Sequence, residues 1–180
     1  MEWAQEFLSC TTDKFFDVKK LGEKTIEQLS LEQLQQAPSS ESNSIAIIIK
    51  HLSGNMVARW TDLLGSDGEK PSRYREQEFE GSFATKEDLI ACWETGWQVL
   101  FAALAALSPD DLMKSVTIRN EPHSVMKAIQ RQLSHYSYHV GQIVYVGKQL
   151  QNEHWVSLSI PRGRSVEYNQ EVFQRHSSEG

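Results

Sequence analysis

The chain has little cysteine, no surplus of positive charge, no long apolar run and no internal repeat. Cys10 and Cys92 stand far apart with no CxxC spacing, which argues against a zinc–thiolate or dithiol redox site. Both are expected to be small apolar core residues in a reducing compartment. Eighteen lysines and arginines against twenty-four acidic residues give a formal charge of −6, so no global field recruits nucleic acid. The longest uninterrupted apolar stretch, Val99 to Leu107, falls far short of the ~20 residues that span a bilayer as a helix. The opening Met1-Glu2-Trp3-Ala4-Gln5-Glu6 is acidic and polar where a secretion signal starts basic and continues apolar. A cytoplasmic protein with neither a membrane nor a nucleic acid as partner is expected.

What is present is a soluble globular composition, 39% apolar and 23% charged, in 180 residues, a length that suits one domain. Four long segments carry apolar residues at helical intervals. The first runs from Trp3 to about Leu29, with Trp3, Phe7, Val18, Leu21 and Leu29 on its apolar side. Ser30 and Gln33 then have capping-box spacing before the break at Pro38. The second spans Ser44 to Leu64 through Ile45, Ile48, Ile49, Leu52, Met56, Trp60 and Leu63. The third, about 86 to 107, follows the cap-like Thr85 and carries Leu89, Trp93, Trp97, Leu100 and Leu104. The fourth, Ser124 to about Leu150, carries Val125, Ile129, Leu133, Tyr136, Val140 and Ile143.

Between the second and third helices, residues 65 to 83 show no period and read as a surface loop, long enough to cover something. Ser115 to Ile118 is β-branched and reads as a short extended arm ahead of the polar break Arg119 to Pro122. Beyond Trp155 no helical period remains. The chain therefore divides into a helical bundle over residues 1–155 and an irregular extension over 156–180, ending in a polar tail from Gln174. Four amphipathic helices with little strand content define an all-α, four-helix bundle.

The most informative string is His135-Tyr136-Ser137-Tyr138-His139. Two imidazoles at i and i+4 share one helix face with Cβ atoms ~5–6 Å apart, so one divalent ion bridges them readily. Zinc takes imidazole nitrogen at ~2.0–2.1 Å, and a catalytic site usually has three protein ligands and an open position. A third ligand is needed. His51, near the middle of the second helix and flanked by Ile48, Leu52 and Asn55, is the best candidate, because bundles build metal sites from facing helices. Buried histidines bonded to backbone carbonyls are the competing explanation of the same residues. Tyr136 occupies the place where HExxH carries its glutamate, so the string supplies no metalloprotease base, and no catalytic residue is assigned.

His123, His154 and His176 read as solvated or capping residues. Asn55, Arg59, Arg119, Arg131 and Gln142 are the candidate substrate contacts, the guanidinium groups suiting an anionic ligand and Gln142 lying three residues after His139. A surface or helix-packing role accounts for each of them equally well. Trp60, Trp93 and Trp97 read as core.

The run Arg131 to Ile143, with its HxxxHxGQI pattern of His135, His139, Gly141, Gln142 and Ile143, together with Ile48-Ile49-Lys50-His51-Leu52, resembles the DinB/YfiT-like metalloenzymes over about residues 1 to 150. Gly54 to Asp62 and Ser159 to Gly163 are similar to a subfamily of small bacterial proteins within that superfamily. The resemblance implies an up-down-down-up bundle, often dimeric, with nickel or zinc held by His51, His135 and His139. It also implies a thiol-dependent transferase acting with a low-molecular-weight thiol such as bacillithiol, mycothiol or glutathione on a small-molecule substrate. Hydrolysis by a metal-activated water is a less favoured reaction. The alternative is a non-catalytic dimeric bundle that binds a metal or ligand, of the stress-related kind.

Overall fold

The computed structural model describes residues 2–177. Helices dominate it: α1 (Glu2–Glu27), the short α2 (Leu31–Gln35), α3 (Ile45–Trp60), α4 (Lys86–Ala106), α5 (Val125–Gln151) and α6 (Ser165–Ser177). A small antiparallel sheet pairs β1 (Ser115–Ile118) with β2 (Glu121–Ser124). Single 3₁₀ turns occupy Arg75–Phe79, Pro109–Asp111 and Asn152–His154.

The helix starts follow from local chemistry. Ser30, Ser44, Thr85 and Ser124 each accept a hydrogen bond from the backbone N–H three residues on, which satisfies a donor that has no partner inside the helix. Ser30 and Gln33 complete the expected capping box. α3 stops at Trp60, earlier than its apolar pattern suggested, where the backbone turns and Asp62 takes a positive φ of 50°.

α3 packs along α4 and α1 along α5, while α5 also meets α3. Gly96 makes the first of these contacts possible: a Cβ there would lie 2.8 Å from the Ser53 backbone, too close for any side chain. At the centre, Phe15, Trp60, Trp97 and Tyr136 bring α1, α3, α4 and α5 together edge to face. The Trp60 indole donates to the Tyr136 hydroxyl at 3.0 Å, which in turn donates to Asn55 Oδ1 at 3.1 Å. These polar atoms are buried and paired, so burial costs little. Among the described residues, α4 alone is long and apolar enough, by length and composition, to cross a membrane. It buries Leu89, Trp93, Trp97, Leu100 and Leu104 against the other helices, as a core helix does.

Several expectations need correction. The buried side of α1 is Ala4, Leu8, Thr11, Phe15, Gly22, Thr25 and Ile26, whereas Trp3 is 51% and Leu21 38% exposed. Leu8, Phe15 and Ile26 share that side with small residues, and Gly22 lies where a Cβ would collide with the Trp93 ring. Cys10 is exposed and Cys92 half-buried, so neither is a core residue. Residues 156–180 are not irregular throughout, because α6 covers Ser165–Ser177, including the first part of the predicted tail. The tail's last residues, 178–180, lie outside the described residues.

The polar break after β1 is a hairpin turn. Arg119 and Asn120 both take positive φ, 55° and 62°, the geometry whose twist matches a two-residue hairpin. Asp67 holds it in place by accepting from the backbone N–H groups of Arg119 (2.9 Å), Asn120 (2.8 Å) and Glu69 (2.7 Å). The hairpin is thus tied to the long loop between α3 and α4. That loop is fastened to α3 in turn, where Lys50 donates to the Glu80 carbonyl at 2.6 Å.

Candidate metal centre

His51 sits on α3, and His135 and His139 lie one turn apart on α5. The packing of α5 on α3 brings all three together: one ring nitrogen from each lies within 4.8 Å of the others. Ring centroids are separated by 5.4, 5.0 and 4.7 Å. His51 Nε2 and His135 Nε2 are 3.4 Å apart. Two nitrogens bound to one tetrahedral ion at ~2.05 Å are about 3.3 Å apart, so this pair already has the separation of two ligands.

The far sides of two rings are held by other residues. Glu78 accepts from His51 Nδ1 at 3.0 Å, and because a carboxylate only accepts, Nδ1 carries the proton and Nε2 is the nitrogen turned toward His135. Gln142 Oε1 stands 2.8 Å from His139 Nδ1 and its amide donates to the Tyr138 hydroxyl at 3.1 Å, which turns His139 Nε2 to the centre in the same way. Partners of this kind fix tautomer and ring orientation in metal sites. The third ring differs, since His135 Nδ1 is buried and has no partner among the described residues.

Electrostatics favour neutral rings at His135 and His139. Burial, reinforced by His139 and His51, pushes the His135 imidazole down to about 3. Burial also lowers His139, against the opposing hydrogen bond from Gln142. Metal binding needs such unprotonated imidazoles. Burial alone would raise the Glu78 carboxyl, but the hydrogen bonds from His51 and Arg73 outweigh it and keep it below its ordinary value. Arg73 grips Glu78 with Nε at 2.7 Å and Nη2 at 2.8 Å. Gly54 makes room for this carboxylate, since a Cβ there would collide with Glu78 Oε1.

The histidines open into a cavity of about 540 Å³. The long loop covers one side of it, as its length suggested: Phe79 packs on the His51 ring with centroids 5.4 Å apart, and Arg73 and Arg75 reach the lining. Asn55, Arg59, Arg119 and Arg131 line the same cavity, with Asn55 Oδ1 taken by Tyr136. Gln142 stands outside the lining, behind His139. Sequence reasoning did not single out Glu78, Phe79, Arg73 or Arg75; the length of the loop was their only signal. His123 is not solvated, since its side chain is nearly buried in β2, 3.6 Å from Glu121. His154 is exposed, and the side chain of His176 lies outside the described residues. Tyr136 points into the core, and burial pushes its hydroxyl pKa up.

Fold and site together define a mostly helical protein with a histidine triad able to hold a metal ion. The chain belongs to the DUF1572 family, described as a protein of unknown function, whose family model matches residues 2–164. That match takes in all three histidines and the covering loop, and it ends where α6 begins. No curated protein and no solved structure matches the chain.

Proposed function

We propose that this protein is a divalent-metal-dependent enzyme, with His51, His135 and His139 holding zinc or nickel, and that its reaction is transfer to a low-molecular-weight thiol. The observation that carries the metal reading is the convergence of three imidazoles from two helices, two of them oriented from behind by Glu78 and Gln142. A divalent ion held there would act as a Lewis acid, lowering the pKa of a water or thiol that binds it. Around that position Glu78 and Gln142 keep the rings aimed inward, and Phe79 limits the access of water to the His51 side. The thiol preference rests on the resemblance to DinB/YfiT-like enzymes, as do an up-down-down-up arrangement of the four long helices and a homodimer.

The test begins with metal content, measured on protein purified without a nickel column. Wild type is expected to carry close to one divalent ion per chain, and His51→Ala and His135→Ala to carry almost none; retention of metal in both variants defeats the shared site. Turnover is then followed with glutathione or bacillithiol and chlorodinitrobenzene, in which a carbon–sulfur bond forms, chloride leaves and the thiol proton passes to solvent. Activity that disappears on chelation supports the transferase. A metal-loaded protein inert toward every thiol and electrophile supports a non-catalytic metal-binding bundle instead.

A further inference from the structure

The cavity in front of the histidines is rich in one kind of charge. Arg59, Arg73, Arg75, Arg119 and Arg131 all line it. Two carboxylates answer three of these five groups: Glu69 pairs with Arg59 at 3.0 Å, Arg119 at 2.9 Å and Arg73 at 3.6 Å, and Glu78 takes Arg73 in a two-pronged contact. Arg75 meets the exposed Glu76 at 3.9 Å and lies over the Phe79 ring at 5.6 Å, and Arg131 has no ion pair among the described residues. Arg59, just 4% exposed, leaves its Nε without a partner although that atom is buried. Holding the buried guanidinium of Arg59 beside the positive charges of Arg73 and Arg119 is costly unless counter-charge gathers there. In a chain whose formal charge is −6, the concentration is also not a general property of the surface.

The helices space these residues along the cavity. On α5, Arg131 precedes His135 by four residues, so both project from one face with about 6 Å of rise between them. On α3, Arg59 follows His51 by eight residues, again on one face, with Asn55 between them. Arg131 and Arg59 thus stand one and two helical turns from the histidines, while Arg75 reaches in from the loop over Phe79, the ring that packs on His51. The space, about 540 Å³, is that of a small-molecule pocket.

We propose that the cavity takes a small anionic substrate, bearing a carboxylate or a phosphate, whose charged end is held by Arg131, with Arg75 reaching it from the covering loop, while its reacting end lies at the three histidines. The placement of the reacting end rests on the metal reading above; the anion site rests on the arginines alone. Arg131 and Arg75 are substrate-binding rather than metal-binding residues, and both are exposed enough to be replaced without disturbing the core.

Calorimetric titration of the full-length protein at low salt, as purified and again after dialysis against EDTA, tests this with inorganic phosphate, glutarate and the uncharged glutaramide. Phosphate or glutarate is expected to bind in both preparations and glutaramide in neither, with the tighter of the two anions identifying the headgroup. Arg131→Gln is expected to weaken that binding roughly tenfold or more, and Arg75→Gln less, because a charge-assisted bidentate contact is lost. Circular dichroism and metal content should stay at wild-type values. Equal binding of glutaramide, no binding of either anion, or unchanged affinity in Arg131→Gln overturns the proposal. Cobalt(II) absorption on the same samples separates the two readings. Anion binding without cobalt binding leaves the arginine site standing and removes the metal centre, whereas cobalt binding without anion binding removes the arginine site alone.

Discussion

The two walls of the cavity are built by different physics. One is regular: α3 and α5 present His51, Asn55 and Arg59 against Arg131, His135 and His139, each stripe spaced by four residues. The other is the aperiodic loop, which supplies Glu78, Phe79, Arg73 and Arg75 through side-chain and carbonyl contacts rather than through a repeating ladder. The helical wall sets which atoms converge, because backbone hydrogen bonds fix the rise and rotation of every residue. The loop wall orients one of the rings, through Glu78 on His51, whereas His139 is held from within α5 by Gln142. Its own geometry depends on a few anchors, of which Asp67, Gly54 and Lys50 are the clearest.

Breaking the helical wall should have the largest effect. His139→Ala is expected to reduce bound metal to trace amounts by elemental analysis while α5 stays helical by circular dichroism, since Ala favours helix. The loop wall should matter next. Glu78→Gln is expected to lower metal affinity by about 10–100-fold in a competitive chelator titration, the usual size of effect for a residue orienting a ligand. Gly54→Ala should match it, because the new methyl displaces the same carboxylate. If Gly54→Ala leaves affinity intact, the loop is more adaptable than its contacts imply.

A smaller effect is expected at Asp67, which stabilises the loop and hairpin without touching the site. The backbone N–H groups of Glu69 and Asn120 lead in holding its carboxyl far below the ordinary value. A carboxylate with a lowered folded-state pKa adds stability above its unfolded pKa and loses it as pH falls toward the folded value. Asp67→Asn should therefore melt earlier than wild type at pH 7, by an amount equivalent to about 1.5–3 kcal/mol, the typical size for hydrogen bonds to a charged acceptor. The gap should narrow as both proteins are melted at pH values progressively below ~4. The smallest change should come from Cys10→Ser, since Cys10 is exposed; its thermal stability should stay within about 0.5 kcal/mol of wild type.

Much of the helical wall was legible from residue spacing. The i, i+4 pair His135 and His139 had to share a face, and His51 stood amid isoleucines and leucines that had to be buried. Caps at Ser30, Ser44 and Thr85 were equally local. α1 was harder, because its buried stripe mixes Leu8, Phe15 and Ile26 with small residues such as Ala4, Thr11 and Gly22, while Trp3 and Leu21 stay exposed. α6 was missed because its apolar residues, including Val166 and Phe173, remain exposed, so no burial pattern marks it. Glu78 was indistinguishable in sequence from Glu76 and Glu80; only the fold presses one of the three against an imidazole.

The amino-acid order alone determined where the long helices run and which side chains share a face, since helix geometry and capping act over three or four neighbours. Tertiary structure decided that α3 meets α5 histidine to histidine, that the loop folds back over that meeting point, and that the arginines gather on the same hollow. Those outcomes depend on contacts between residues dozens of positions apart, where packing and charge act through space and leave no period to read along the chain.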